Sequence, residues 1–142
     1  MTVEGIVLLS EESEFISLAR ECSLGTVYPD ASPHVVPIST VLDLNRLVFA
    51  SERDTQKIRN IEGNPLVAVC FDEYHEDWSQ LVQVVVHGEA YILDAGFEFE
   101  RDRTLLYEKF TQYEALAPIE EGSCVIVEVR IDRVTSTWRR PG

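Results

Sequence analysis

Cysteine, basic residues and long apolar runs are all scarce in this 142-residue chain. The three cysteines, Cys22, Cys70 and Cys124, are odd in number and far apart, which predicts free thiols in a reducing compartment rather than a disulfide framework. The longest early apolar run is Gly5–Leu9, far below the roughly 20 residues of a membrane helix. The N-terminus is acidic where a signal peptide would be basic. We therefore expect a cytoplasmic protein without a membrane partner.

The shortage of positive charge excludes further classes of partner. The chain has 12 basic and 25 acidic residues, which gives a formal net charge of −13. Affinity for nucleic acid depends on neutralising phosphates, and docking on an anionic membrane depends on basic patches, so neither partner is expected. A hydrophobic content of 45% suffices for a packed core at this length. Residues 1–142 are expected to form a single domain.

Hydrophobic periodicity predicts one initial helix followed mostly by strands. The helix would begin with Ser10 as its N-cap, carry an apolar stripe through Cys22 and end at Gly25. Two later helices are predicted, from Asp54 or Thr55 through Asn64 and over Phe97–Phe110. The predicted strands are Leu24–Tyr28, Pro33–Val41, Arg46–Ser51, Leu66–Asp72, Leu81–Leu93 with a bulge at Gly88, Cys124–Ile131 and Val134–Trp138. Short turns between successive strands predict a mainly β protein, a closed antiparallel barrel with peripheral helices.

Familiar catalytic and metal-binding signatures are missing from the sequence. The histidines His34, His75 and His87 are too scattered for a metal motif, and no Cys–His spacing suits zinc. No serine lies in a nucleophile elbow, and neither G-x-G-x-x-G nor G-x-x-x-x-G-K occurs. Serine-triad hydrolysis, a Rossmann site and a P-loop therefore have no support.

The segment Arg46–Asn60 is a basic island in this acidic chain. It holds four basic residues against two acidic ones, whereas the rest of the chain has eight against 23. Ser51 ends a predicted strand, and Thr55, Gln56 and Lys57 begin a predicted helix, whose free N–H groups and dipole suit a phosphate. Lys57 would add a charge and the hydroxyls of Ser51 and Thr55 would add donors. The alternative is a solvated helix whose basic residues pair with neighbouring acids.

Several motifs follow one another along nearly the whole chain, beginning with Pro33–Ile38 (PHVVPI), Ser51–Asn60 (SERDTQKIRN) and Asn64-Pro65. In this order they resemble the pyridoxamine 5′-phosphate oxidase-like flavin-binding split barrels. Three further motifs, Asp77-Trp78-Ser79-x-Leu81, Val86-x-Gly88-x-Ala90 and Lys109-Phe110-x-Gln112-Tyr113, resemble the F420-dependent branch of that family. The resemblance implies a six- to seven-stranded antiparallel split β-barrel, and it supports the phosphate site by analogy.

The resemblance also implies a cofactor, FMN or coenzyme F420, bound between the subunits of a homodimer. The strand Val35–Thr40 would lie along the isoalloxazine or deazaflavin ring of the cofactor, and Gln83 would form a hydrogen bond with that ring. Ala50 and Ser51 would flank the ribityl chain. Trp138 would face the cofactor of the partner subunit. Trp78 would either do the same or fold onto the core. The implied cofactor-binding residues are Val35, Pro37, Ile38, Ser39, Thr40, Ala50, Ser51, Arg53, Thr55, Gln56, Lys57, Trp78, Gln83 and Trp138. The implied function is hydride transfer to or from a small organic substrate, with a non-catalytic flavin-binding or storage module as the alternative.

Two departures from the family limit these expectations. Pyridoxamine phosphate oxidases end in Arg-x-His, whereas this chain ends in 138-WRRPG-142 and has no histidine after His87, so neither that oxidase activity nor haem degradation is expected. No catalytic side chain is implied, with Tyr74, His75 and solvent as candidate proton donors. The F420 branch often has Trp-Trp near Leu81–Gln83, which leaves both coenzymes open, although the branch motifs favour F420. Its anionic tail would need further cations, for which the candidates are Arg59, Arg46 and the pair Arg139-Arg140.

Overall fold

The computed structural model describes residues 6–139, which form one antiparallel sheet with four peripheral α-helices. The strands are β1 (Cys22–Val27), β2 (Pro33–Ile38), β3 (Val41–Asp43), β4 (Arg46–Glu52), β5 (Leu66–Glu73), β6 (Val82–Leu93) and β7 (Cys124–Ser136). The helices are α1 (Ser10–Leu18), α2 (Gln56–Gly63), α3 (Phe97–Lys109) and α4 (Tyr113–Leu116), with a 3-10 turn at Trp78–Gln80. The strand order is β2-β1-β5-β6-β7-β4-β3. None of the helices within 6–139 has the length and apolar character needed to cross a membrane.

The predicted mainly β fold with peripheral helices is confirmed, and its seven strands form a split barrel. The hydrogen-bonded order ends at β2 and β3, which follow each other in the chain. The expectation of a fully closed barrel was therefore wrong, as was that of one strand over Pro33–Val41. The strand stops at Ile38, because the chain leaves one edge of the sheet there and rejoins the opposite edge at Val41.

The first helix is shorter than predicted and begins one residue earlier. Leu9, not Ser10, is the N-cap, and the Glu12 carboxylate accepts a hydrogen bond from the Leu9 N–H at 2.9 Å. The helix ends at Leu18, whereas Cys22 and Gly25 lie in β1, where Cys22 is buried and Ser23 exposed. The spacing of Leu18 and Cys22 suits one face of a helix, but the alternation after Cys22 has the period of a strand.

The last two predicted strands are one continuous strand, β7. His87 pairs with Arg133 and Gly88 with Ile131, so Asp132 is the extra residue of a bulge between β6 and β7. The predicted irregularity at Gly88 is confirmed, and it explains the apparent break before Val134. A Cβ atom at Gly88 would lie 2.1 Å from the Arg130 carbonyl oxygen, so the two backbones can approach this closely only at glycine.

Two apolar clusters account for the core. The first fills the barrel, where Ile16 of α1 and Ile58 and Ile61 of α2 pack against the inward side chains of the strands. The second lies outside the sheet, where Phe99 and Leu106 of α3 cover β3, β4 and β7. No described helix covers the corresponding outer surface of β2, β1, β5 and β6. We call this surface the open face. The outward residues that we use to define it are Ser23, Gly25, Val35, Pro37, Ala68, Cys70 and Val85.

A buried polar cluster joins α3 to the sheet. Asp102 of α3 is fully buried, and its Oδ2 atom has no hydrogen-bond partner. Glu128 of β7 accepts hydrogen bonds from Arg46 and, at 3.0 Å, from Arg101. Arg46 also contacts Asp43 at 2.5 Å and lies 3.7 Å from Asp102 Oδ1. Three carboxylates thus share two guanidinium groups, which leaves one excess negative charge when all are ionised.

Candidate functional site

The first turn of α2 presents free hydrogen-bond donors. Thr55 is the N-cap in an extended conformation, and its side chain makes no capping hydrogen bond. Among residues 6–139, the N–H groups of Gln56, Lys57 and Ile58 have no acceptor. Such N–H groups at the positive end of a helix dipole bind anions. The predicted location of an anion site at this turn therefore matches the donors that the structure leaves free.

Lys57 is the cation of the basic island that the fold leaves unpaired. In the part of the chain that the structure describes, no carboxylate lies within 4.0 Å of its ammonium group. Its side chain is half-buried, and this burial lowers the pKa of Lys57 from its usual value. Glu52 attracts the ammonium group from beyond 4.0 Å, which raises the pKa of Lys57 but does not offset its burial, so a bound anion would stabilise the charge.

The arginines of the island form internal ion pairs instead. Arg53 contacts Asp94 at 2.5 Å and donates to the Gly122 carbonyl at 3.2 Å. Arg59 contacts Asp54 at 2.8 Å. Arg46 belongs to the buried cluster with Glu128. The two readings of the island thus apply to different residues, since the arginines pair with acids while Lys57 does not.

Three predicted phosphate ligands are engaged within the protein. The Ser51 hydroxyl donates to the Glu52 carbonyl at 2.8 Å. The Thr55 hydroxyl lies 3.3 Å from that carbonyl and 3.1 Å from the Ser51 hydroxyl. The Gln56 amide donates to Asn60 at 2.7 Å and accepts from Arg59 at 3.1 Å. Gln56 therefore offers its main-chain N–H rather than its side chain.

A cleft of about 780 Å³ lies beside this turn, between the end of β4 and the segment 113–124. Among the predicted cofactor residues it is lined by Ala50, Ser51 and Arg53. A cavity of about 250 Å³ shares three lining residues with it and is also lined by Ser39. The shared residues are Tyr113, Leu116 and Ala117. The two spaces therefore adjoin and bring four predicted residues together; Thr55, Gln56 and Lys57 stand at the neighbouring helix start.

Residues of the segment 113–124 were missed as site residues. Tyr113 and Leu116 line both spaces, and Ile119 and Cys124 line the larger one. The motif Lys109-Phe110-x-Gln112-Tyr113 was the available signal, since Phe110, Gln112 and Tyr113 line the smaller cavity. Nothing local to the remaining residues marks them, because they reach the site through the packing of α3 and α4 beside β4.

The predicted ring-binding strand divides between two environments. Val35, 65% exposed, and Pro37 point outward on the open face. The side chains of Ile38 and Thr40 are buried, so only their main chains can contact a ligand, and the Thr40 carbonyl already accepts a hydrogen bond from Lys109 at 2.8 Å. Ser39 lies between the two environments, and its hydroxyl donates to the Arg20 carbonyl at 2.9 Å.

The remaining predicted residues lie away from the cleft. Trp78 is 71% exposed, and its indole N–H donates to the Tyr74 hydroxyl at 3.2 Å. The Gln83 side chain is exposed, beside the open face. Trp138 is half-buried and packs edge-on against Phe15, with a centroid distance of 6.0 Å. Nothing in one protomer joins these three side chains to the α2 turn.

The candidate cations for an anionic cofactor tail are engaged. Arg59 and Arg46 form the ion pairs described above. Arg139 binds the buried Glu12 carboxylate through contacts of 2.7 and 2.9 Å. Arg140 lies outside the described residues. The three described arginines would each have to leave an acidic partner to bind such a tail.

Comparisons with known proteins identify the fold and the family. A FAD-binding protein from Mesorhizobium loti is 22% identical with a TM-score of 0.74, covering 91% of this chain and 94% of its own. HutZ, the heme storage protein from Vibrio cholerae, is 16% identical with a TM-score of 0.75, covering 88% and 91%. An F420 reductase is 22% identical with a TM-score of 0.67, covering 87% and 93%. No curated protein matches the sequence significantly. The sequence model of the pyridoxamine 5′-phosphate oxidase family matches residues 8–138, nearly the whole chain, and the protein therefore belongs to that family.

Proposed function

We propose that this protein binds a flavin-type cofactor, FMN or F420, and transfers a hydride to or from a small organic substrate. The observation that carries the proposal is the unpaired Lys57 beside three free N–H groups at the start of α2, next to a cleft of about 780 Å³. A terminal phosphate matches this combination of charge and donors. Family membership and the FAD-binding and F420-reductase names of structural neighbours support the choice of cofactor class.

The proposed cofactor would extend from the α2 turn past the cleft and the adjoining Ser39 cavity to β2, which ends one residue before Ser39. The phosphate would lie at the α2 turn, the ribityl chain beside Ala50 and Ser51, and the ring along β2 toward Val35. The bound cofactor supplies the hydride chemistry, while this chain binds and orients it and excludes water. Tyr74 and His75 are the candidate proton donors; the His75 ring lies 2.5 Å from the Glu73 carboxylate.

The charges around the site favour FMN over F420. FMN carries one terminal phosphate, whereas F420 extends past its phosphate into a tail of carboxylates. The arginines available for that tail are already paired: Arg59 with Asp54, Arg46 with the buried cluster and Arg139 with Glu12. The formal charge of −13 also opposes a polyanionic ligand. These observations outweigh the branch motifs in the sequence.

Titration of the apoprotein with FMN and with F420, followed by fluorescence, tests the cofactor assignment. We expect saturable binding of both, with the lower Kd for FMN. Binding of F420 but not FMN would overturn the coenzyme preference. Binding of neither would overturn the proposed function itself.

The alternative is a non-catalytic binding or storage module, a role that the name of the HutZ structure assigns to one neighbour. Reoxidation of the reduced, protein-bound cofactor separates the two. We expect at least one quinone, enone or other small electrophile to reoxidise it faster than buffer does. No acceleration across such a panel would favour the binding module.

The open face supports a homodimer as part of this proposal. Val35 within it is 65% exposed and the residues around Val35 are uncharged, while the acidic Asp72 and Glu89 lie farther along the same side of β5 and β6. Stable interfaces bury roughly 800 Å² per partner, mostly around an apolar centre. A second copy would cover this face and enclose the ring beside Val35 and Pro37.

We expect light scattering to report a dimer at micromolar concentration. Val35→Glu would place an unpaired charge in the interface and should yield monomers with weaker cofactor binding. Leu44→Glu is the matched control, because Leu44 is 88% exposed in the β3–β4 turn, outside the open face. A monomeric wild type, or equal dissociation of both variants, would contradict the prediction.

A further inference from the structure

We propose that Thr26, a buried residue of β1, is a positioning residue for the cofactor phosphate, because it orients the first turn of α2 through Asn60. The inference rests on the phosphate site of the proposed function and extends it to a residue that lines neither the cleft nor the Ser39 cavity.

A chain of hydrogen bonds connects Thr26 to the proposed site. The Thr26 hydroxyl accepts from Asn60 Nδ2 at 3.0 Å, and Asn60 Oδ1 accepts from Gln56 Nε2 at 2.7 Å. Thr26 and Asn60 are only 3% and 2% exposed. Gln56 is the first residue of α2 and directly precedes Lys57. The buried chain therefore ends at the turn that carries the free donors.

The direction of each hydrogen bond follows from the groups present. Asn60 uses its amide oxygen for Gln56 and its amide nitrogen for Thr26, so its orientation is defined. The Thr26 hydroxyl accepts from Asn60 and retains its own proton, for which His34 Nδ1, 3.5 Å away, is an acceptor when the ring is neutral. Each donor in the chain thus has an acceptor.

Two directional links join α2 to the sheet. At the N-cap, the Thr55 hydroxyl lies 3.1 Å from the Ser51 hydroxyl and 3.3 Å from the Glu52 carbonyl of β4. The chain through Asn60 is the second and holds the helix beyond its cap. Within the described residues, Asn60–Thr26 is the one side-chain hydrogen bond from Gln56–Gly63 to a strand. The bonds of Arg59 go to Asp54 and Gln56 and stay local to the helix. Ile58 and Ile61 anchor α2 in the barrel core, but apolar contacts are non-directional and leave rotation about the helix axis less restricted. Because the free N–H groups and Lys57 belong to one rigid turn, rotation would move them together.

A purely structural role would predict a different outcome. If Thr26 only stabilised the fold, its loss would lower the affinity for every ligand of the cleft equally, or for none. If Thr26 positions the phosphate-binding turn, its loss should weaken ligands with the phosphate and spare those without it. The ratio of the two affinities therefore separates the roles.

The experiment compares Thr26→Val, which keeps the branched shape and removes the hydroxyl, with Thr26→Ser, which keeps the hydroxyl. Kd is measured by fluorescence for FMN and riboflavin, and for F420 and its phosphate-free deazariboflavin core. We expect Thr26→Val to raise the Kd of the phosphate-bearing ligand by about three- to tenfold, the range of one neutral hydrogen bond. The Kd of the phosphate-free ligand should change by less than about twofold. Thr26→Ser should retain both wild-type values. Asn60→Leu, of similar shape, should reproduce or exceed the effect of Thr26→Val and replaces it if that variant does not fold.

The deciding ratio is the affinity for the phosphate-bearing ligand divided by the affinity for its phosphate-free counterpart. If this ratio is the same in wild type and in Thr26→Val, or in Asn60→Leu where Thr26→Val does not fold, the inference is overturned. Lys57→Ala identifies the cause. If Lys57→Ala lowers the ratio while Thr26→Val does not, the phosphate site stands and only the positioning role fails. If Lys57→Ala also leaves the ratio unchanged, or no ligand binds wild type, the proposed site fails and this inference fails with it.

Discussion

Lys57→Ala is expected to weaken cofactor binding by roughly ten- to a hundredfold. A charge-assisted hydrogen bond contributes about 1.5–3 kcal/mol, and each 1.4 kcal/mol corresponds to a factor of ten in Kd. The loss should be confined to binding, because the ammonium group has no acidic partner within 4.0 Å in residues 6–139 whose interaction the substitution would remove. We expect the free energy of unfolding of the apoprotein to change by about 0.5 kcal/mol or less.

Titration of wild type and variant at two salt concentrations measures this effect. Added salt should weaken wild-type binding more than variant binding, because the variant has one fewer charge to screen. Arg133→Ala is the control, since Arg133 is an exposed cation of β7 that lines neither the cleft nor the Ser39 cavity; the Kd of this variant should stay within about twofold of wild type. Equal affinities of wild type and Lys57→Ala for both coenzymes at low salt would contradict the phosphate site.

Asp102→Asn is expected to stabilise the protein at pH 8 by roughly 2–4 kcal/mol. Burial, followed by the neighbouring Glu128, raises the pKa of Asp102 to about 7. Burial acts on Glu128 in the same direction, but Asp102 and Arg46 outweigh it and lower the pKa of Glu128. Below about pH 7 the folded pair thus holds a proton that two separate carboxylates would release, and at pH 8 the folded protein carries the cost of both buried charges. Asparagine is neutral at every pH and therefore removes the cost of a second buried negative charge beside Glu128.

The pH range of the effect follows from the two states of Asp102. Between about pH 4, the ordinary pKa of an aspartate, and pH 7, the folded state holds a proton that the unfolded state has released. The free energy of unfolding therefore falls as pH rises through this range and is constant, as far as Asp102 is concerned, above it. Glu12 acts in the opposite sense: its pKa is lowered, so its contribution is lost on acidification.

Urea denaturation of wild type and Asp102→Asn between pH 4.5 and 8.5 tests this prediction. The difference between the two curves cancels the contribution of Glu12 and other common groups. We expect it to be near zero at the acidic end, to grow up to about pH 7 and to level off. Asp72→Asn, at an exposed position in β5, should give a flat difference. Parallel curves for wild type and Asp102→Asn would show that the buried pair holds no extra proton.

The amino-acid sequence by itself determined the class of fold and the start of α2, the helix to which we assign the phosphate. The alternation in β5 and β6, the turn before Arg46 and the breaker Pro65 are local signals, and a strand lies in each segment where one was predicted, although Pro33–Val41 is divided and the last two predicted strands are one. The position of Lys57 at the start of α2 follows from the same kind of signal. The ends of the elements were predicted less accurately. Leu18 and Cys22 have the spacing of one helix face, although the helix ends at Leu18 and Cys22 begins β1.

Tertiary structure decided the long-range pairs of the basic island. Arg59–Asp54 and Arg46–Asp43 are close in sequence. Arg53 and Asp94 are 41 residues apart, and Arg46 and Glu128 are 82 residues apart, so no local pattern could predict these two pairs. The same holds for the Asn60–Thr26 hydrogen bond, which joins residues 34 apart. Helices and strands depend on neighbours within a few residues, whereas ion pairs, cleft walls and buried protons depend on which strands the sheet brings side by side.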